Sequence, residues 1–248
     1  MTRSHATRLS SLTVPVVIAL LAGTAPAAAE SAGDPWQFTL APYVWATSLD
    51  GTTVIKGQEA DVDISASDIW DHLDFAAMLM FVARKGNWAV AGDIVTVDLS
   101  VEKGSPPVEF DPTLSVVTVQ AARRLSPFAD LTFGARYNRL EGRLDFGPPI
   151  DIEVDKTRDW IDPVVGVVLR TTGERIWHAT LVADIGGTGS DDTTWQFFPS
   201  LGIDMAKWAS FEIGYRLMDT HYETGDGPDR FEYDVLAVGP VLGVAFRF

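Results

Sequence analysis

Ten stretches of this chain alternate apolar with polar or small side chains, at roughly 36–47, 74–85, 87–100, 112–125, 128–142, 158–171, 175–187, 193–206, 208–221 and 231–248. Alternation with period two is the signature of an extended strand with two unlike faces. The joints between them constrain the fold most. Four are tight and carry turn residues: Lys85-Gly86-Asn87, Ser126-Pro127, Thr172-Gly173-Glu174 and Ala206-Lys207. The other five, near 48–73, 101–111, 143–157, 188–192 and 222–230, are mostly longer, and tight and long joints alternate strictly. Successive strands must then run up and down, with every tight turn at one end and every long loop at the other.

Charge decides what the apolar face meets. Phe211, Ile213, Tyr215 and Leu217 oppose Glu212, Gly214 and Arg216, while Trp177, Ala179, Leu181 and Ile185 oppose His178, Thr180 and Asp184. Leu131, Phe133, Ala135 and Tyr137 oppose Thr132, Gly134, Arg136 and Asn138, and Ile161, Val165, Val167 and Leu169 oppose Asp162, Gly166 and Arg170. A continuous apolar outer face with charged and small residues inside is the pattern of a barrel set in lipid, where an outward arginine at mid-membrane costs about 2–4 kcal/mol. Each stretch also reaches the 9–11 residues that a tilted strand needs to cross the hydrocarbon. The expected fold is therefore all-β, a transmembrane antiparallel up-and-down barrel of about ten strands, although eight or twelve would satisfy similar bookkeeping and residues 52–65 could add a hairpin above the membrane. Strand 87–100 fits less cleanly, because Val95, Val97 and Leu99 share the parity of Asp93. A bulge within it would reconcile the two.

One aromatic residue follows each tight end of the upward strands: Trp36, Trp88, Phe128, Trp177 and Trp208. Rings settle at the membrane–water boundary, so five at one level are expected to form the periplasmic girdle. Phe128 and Trp208 fall out of phase with their own strands, which leaves an inward orientation open for those two.

The ends of the chain agree with export to such a membrane. Leu242, Val244, Phe246 and Phe248 line one face of the last strand, which stops on Phe246-Arg247-Phe248 with no polar tail. We expect these residues to act as the barrel-assembly signal. At the other end Arg3 and Arg8 precede an apolar run from Val14 to Ala22 and the small residues Ala27-Ala28-Ala29. That is the layout of a secretory signal peptide over residues 1–29, too short to span a bilayer as a helix, leaving one barrel domain over 30–248.

Composition narrows the function. The full chain has a net charge of −15, and the signal peptide contains basic but no acidic residues, so the exported part is more acidic still. Such acidity argues against nucleic acid as a partner. Cysteine is absent, which removes disulfides and thiolate metal sites. The outer loops carry Asp50, Glu59, Asp61, Asp63, Asp68 and Asp71 against Lys56, then Asp151, Glu153 and Asp155, Asp191-Asp192, and Asp226 with Asp229. No calcium-loop pattern joins these carboxylates, so they are expected as solvated loop charges and no metal or cofactor is expected. Ser67 could cap one helical turn over 67–73 and fold it across the mouth. After processing, only His72, His178 and His221 remain. His221 and Asp219 lie near the outer rim, but no His-X-Ser or Gly-X-Ser-X-Gly accompanies them, so catalytic residues are not expected.

Asp93, Arg136, Asp162, Asp184, Glu212 and Arg216 all face inward near mid-height, and opposite charges there are expected to form a lumen network, with Arg216 paired to Asp184 or Glu212. Ten strands enclose little space, so side chains fill much of it. The chain resembles small proteobacterial outer-membrane β-barrel proteins in Ala41-Pro-Tyr-Val-Trp-Ala46, in Ser67-Asp-Ile-Trp-Asp-His-Leu-Asp-Phe75, in Gly92-Asp-Ile-Val-Thr-Val-Asp-Leu99 and in terminal Phe248. Many such proteins have no assigned activity, and the resemblance supplies no catalytic residue. It implies an outer-membrane location, with lipid and the barrel-assembly machinery as partners. Two functions stay open: a structural or interaction protein with a filled lumen, and a narrow porin-like channel for small solutes.

Overall fold

The computed structural model describes residues 34–55, 57–103, 108–146, 152–171 and 176–248. The expected signal peptide and the turn at 172–174 lie outside the described residues, as do the side chains of Glu153 and Asp155. Thirteen strands and one short helix follow in order: β1 (Gln37–Trp45), β2 (Ser48–Ile55), β3 (Gln58–Ile64), α1 (Ala66–Asp71), β4 (Leu73–Lys85), β5 (Trp88–Leu99), β6 (Val101–Lys103), β7 (Val108–Ser126), β8 (Ala129–Phe146), β9 (Ile152–Arg170), β10 (Trp177–Gly189), β11 (Asp192–Ala206), β12 (Ala209–Thr224) and β13 (Phe231–Arg247).

Ten of these close a ring in the order β1-β4-β5-β7-β8-β9-β10-β11-β12-β13, and β13 pairs back onto β1. Closure runs to the last residue. Phe38 and Phe248 exchange both backbone bonds, at 3.1 and 3.0 Å, so no edge of the ladder is left unpaired there. The tight turns sit at the end that holds both described chain ends. At Lys85-Gly86-Asn87, Gly86 takes φ of 57°, the left-handed conformation a tight hairpin needs.

Outside the ring, β2 continues the line of β1 past Ala46-Thr47 and pairs with the outer half of β13, Phe231 to Val238. β3 folds back on β2 as the extra hairpin over this region. Among the described residues β3 has no second neighbour and β6 pairs only with β7, so the outer wall lacks a ladder between β3 and β6. Helix α1 occupies the connection between β3 and β4. Its cap is Ser65, two residues before the Ser67 expected for that role: Ser65 Oγ accepts from Asp68 N at 3.2 Å, and Ser65 N donates to Asp68 Oδ2 at 3.1 Å. Asp68, at the third helical position, completes the box in the place usually held by glutamate or glutamine.

That box makes a prediction. The Ser65 hydroxyl bonded to Asp68 (2.6 Å), then its backbone N–H, hold the Asp68 carboxyl below the usual carboxylate range. A depressed carboxyl supports the cap at every pH above its ordinary range and loses that support as pH falls through the lowered value. Ser65→Ala should cost α1 about 0.5–2 kcal/mol. The Ile69 amide, which donates to Ser65 O at 3.1 Å, should then exchange faster, and exchange unchanged by the substitution would refute this account of the cap.

The barrel's core is its lumen. Buried side chains are Asp130, Thr132, Arg136 and Asn138 on β8, Thr118 and Gln120 on β7, Thr194 and Gln196 on β11, and Val235 and Val241 on β13. Their outward neighbours are exposed to a degree no water-facing wall would tolerate: Phe133 47%, Ile161 59%, Ile185 63% and Ile213 46%. The bulge expected in strand 87–100 is absent. β5 keeps unbroken register with β7 from Trp88↔Arg123 to Asp98↔Thr113, and the irregularity lies in β4, between Leu73 and Phe75. Val95 and Val97 are inside with Asp93 because the outer half of the lumen is apolar.

Candidate functional site

The five girdle aromatics are all exposed near the tight-turn end: Trp36, Trp88, Phe128, Trp177 and Trp208. Trp36 stacks on Phe38 at 6.0 Å, Trp88 meets Phe133 edge-on at 6.4 Å, and Trp208 stacks on outward Phe246 at 6.1 Å. Phe128 and Trp208 do not turn inward. Both lie in the two-residue turns that precede β8 and β12, where strand parity does not apply. Lys85 and Arg123 lie over Trp36 and Trp88 at 5.8 and 4.9 Å, placing cations at the level of these rings.

Inside, polar groups form two levels. Near the tight-turn end Asp130 binds Arg84 and Arg170. Towards the same end Glu212 Oε1 takes His178 Nε2 at 3.0 Å and the Ser210 hydroxyl at 2.5 Å, and Arg247 binds Asp204 at 2.7 Å.

The second level crosses the lumen. Arg136 donates to Asp184 Oδ1 (2.7 Å), Thr194 Oγ1 (2.7 Å) and Thr118 Oγ1 (3.3 Å). Gln196 Nε2 donates to Asp184 Oδ2 at 3.3 Å and its carbonyl accepts from Arg216 Nε at 2.8 Å. Arg216 continues to Tyr43 OH (3.0 Å) and Asp93 Oδ2 (2.7 Å), and Tyr43 donates to Asp93 Oδ1 at 2.7 Å. Asp93 lies directly across the ladder from Thr118, so the belt returns to its start. Two arginines and two aspartates balance, and Arg136 and Arg216 are 0% and 1% exposed.

Two of the anticipated partners differ. Arg216 pairs with Asp93, neither with Asp184 nor with Glu212. Asp184 is taken by Arg136, and Glu212, four residues below Arg216 on β12, belongs to the lower level. Asp162 lies opposite Arg136 in the β8–β9 ladder and accepts from Asn138 Nδ2 at 2.8 Å. Tyr43, Gln196, Thr118 and Thr194 complete the belt and were not singled out from the sequence. Parity with Arg136, Asp184 and Arg216 was the available signal for the last three.

Above the belt the lumen changes character. Trp45, Met78, Val95, Val97, Val116, Trp160 and Ala237, together with the polar Thr47, Asn138, Thr220 and Tyr233, line a cavity of about 40 Å³. Trp45 forms its floor, with the Arg216 guanidinium 4.8 Å from the ring centre, and Trp160 stacks on Tyr222 at 4.5 Å. On the outer rim His221 Nδ1 stands 3.6 Å from Asp234 Oδ2, with Glu232 nearby, while Asp219 accepts the Trp195 indole N–H at 2.7 Å. Glu232 is engaged by Arg230 at 2.6 Å.

No family model matches the chain, and no curated protein matches it. Solved structures do. The outer-membrane protease OmpT from Escherichia coli aligns with a TM-score of 0.52 at 8% identity, over 87% of this chain and 98% of that one. Ail, the attachment invasion locus protein of Yersinia pestis, aligns at 0.42 and 10% identity, over 87% and 100% of the two chains. The toluene transporter TbuX of Ralstonia pickettii aligns at 0.37 and 8%, over 87% and 89%. The likeness is one of fold: this chain is an outer-membrane-type β-barrel.

Proposed function

We propose that this protein is an integral outer-membrane barrel with a lumen closed by its own side chains, serving a structural or interaction role and catalysing no reaction. Bilayer lipid surrounds its apolar belt, and the barrel-assembly machinery recognises the strand ending in Leu242, Val244, Phe246 and Phe248. The observation that carries the reading is the belt from Thr118 through Arg136, Asp184, Gln196 and Arg216 to Tyr43 and Asp93. It leaves few charged groups free to lead an ion through, whereas a conducting filter needs sites that bind and release. Buried arginines, each paired with one aspartate and otherwise bonded to neutral side chains, serve packing of a narrow interior. What remains to act on the surroundings is the outer end, where β7 to β9, of 18–19 residues, outrun the 9–11 needed to cross the membrane.

Planar-bilayer recording tests the reading against the narrow channel. The native protein is expected to show no steady openings, and Arg136→Ala combined with Arg216→Ala to open a steady leak, which also proves insertion. Steady unitary conductance from the native protein would overturn the proposal.

A further inference from the structure

We propose that the arginine cluster at the tight-turn end of the lumen is a binding site for a dianionic oxyanion, such as inorganic phosphate, sulfate or a phosphate monoester. The site lies below the belt and does not depend on whether the belt conducts, so the inference goes beyond the closed-lumen reading.

Three guanidinium groups gather on one carboxylate. Asp130 binds Arg84 and Arg170, and Arg124 Nε stands 3.9 Å from Asp130 Oδ1. Arg124 lies opposite Asp130 in the β7–β8 ladder, and Arg170 comes from β9 on the other side of β8. Arg84 starts on β4 and must cross β5 and β7. The inward residues on its way are Ala89 and Ala122, both buried and too short to block the reach. In the belt one arginine suffices for each aspartate. Around Asp130, three positive charges and about fifteen N–H donors face a single negative charge with about four acceptor positions. Two positive charges are left over.

Exposure shows which way the excess faces. The Asp130 side chain is 1% exposed, whereas Arg84, Arg170 and Arg124 are 14%, 24% and 36% exposed. The carboxylate is the buried back of the cluster, and solvent meets the arginines. Arg124 also lines a groove of about 310 Å³ with Asn87, Leu125, Ser126 and Pro127, where a water needs roughly 10–15 Å³. Lys85 and Arg123 add cations on the outer side of the same turns, against Asp34 beside Gly86. The remaining carboxylates towards this end are engaged, Asp204 by Arg247 and Glu212 by His178 and Ser210. In a chain of net charge −15 this edge inverts the sign, so it draws anions that the acidic outer loops repel.

Planar guanidinium forks match the paired oxygens of an oxyanion. Two uncompensated charges fit a dianion better than a monoanion, which makes the phosphodiester of a membrane lipid the weaker ligand. In the orientation proposed above this end faces the periplasm, so the ligand is a periplasmic solute or phosphorylated group.

The test is calorimetric titration of the full barrel in a nonionic maltoside detergent at pH 8 and constant ionic strength in sodium chloride. Inorganic phosphate is expected to bind saturably, one per barrel. Dimethyl phosphate, a monoanion that stands for a lipid phosphodiester, should bind at least about tenfold more weakly. Arg124→Gln should weaken phosphate binding at least about tenfold, the effect of losing one charge-assisted bond. Asn87→Asp, a turn substitution that leaves the cluster intact but adds a carboxylate to the groove, should also weaken it. Lys207→Gln removes a cation from another turn at the same end and should leave binding unchanged. No saturable binding of phosphate over chloride, equal binding of dimethyl phosphate, indifference to both groove substitutions, or an equal loss in Lys207→Gln would each overturn the proposal. Failure of the closed-lumen reading would appear separately, as conductance in the bilayer recording.

Discussion

Arg136→Leu is expected to destabilise the barrel by about 3–5 kcal/mol, the usual effect of removing one partner from a buried ion pair. Arg136 is fully buried, its Nη2 lies 2.7 Å from Asp184 Oδ1, and two threonine hydroxyls accept its other N–H groups. Without it, Asp184 keeps only the longer bond from Gln196, and a carboxylate is stranded inside a closed wall. Asp184→Leu alone should do comparable harm from the other side. The double substitution should recover much of the loss, because a well-packed apolar pair in place of a buried ion pair is often neutral. Denaturant titration of the protein refolded in lipid vesicles gives all four corners of the cycle. Additive losses in the double variant would show that the pair acts independently and that the belt is not a coupled unit.

Ile213→Arg should be about as damaging for the opposite reason. Ile213 is outward and 46% exposed on β12, between the girdle residue Trp208 and the outer Trp195–Asp219 bond, so an arginine there stands in hydrocarbon. The expected loss is about 2–4 kcal/mol. Ile213→Val, by contrast, should change little. An Ile213→Arg variant that refolds with native stability would invert the inside–outside assignment of this strand, and with it the placement of Glu212 and Arg216.

Most of the wall is legible in the sequence. Strands β8 and β10 to β12 alternate most cleanly, because outward positions meet lipid and most inward ones are polar or small, so parity and chemistry coincide, whereas β9 and β13 also turn Trp160, Val164, Val235 and Val241 inward. They stop coinciding in β5, where Val95 and Val97 face a cavity that is itself apolar. There the sequence pattern pointed to a bulge, because an apolar stretch of lumen looks the same as an outward face when only alternation is read. The phase of Phe128 and Trp208 misled for a different reason: both occupy turn positions, where period two no longer governs which way a side chain points. The short helix was legible from its Ser-rich start, but the cap fell on Ser65 because only that hydroxyl reaches the Asp68 amide.

Period-two alternation, the rhythm of tight and long joints and the cost of placing charge in lipid are local properties, and from them the sequence by itself determined an up-and-down barrel of about ten strands and most of the side chains that enter the lumen. Which inward charges meet was decided only by the tertiary structure. Arg216 reaches Asp93 because β13 closes onto β1 and β4 brings β5 close across a narrow interior, and Asp184 goes to Arg136 because β8 and β10 flank β9. Contacts across a lumen depend on ring closure, strand stagger and side-chain reach, none of which has a local signature in the chain.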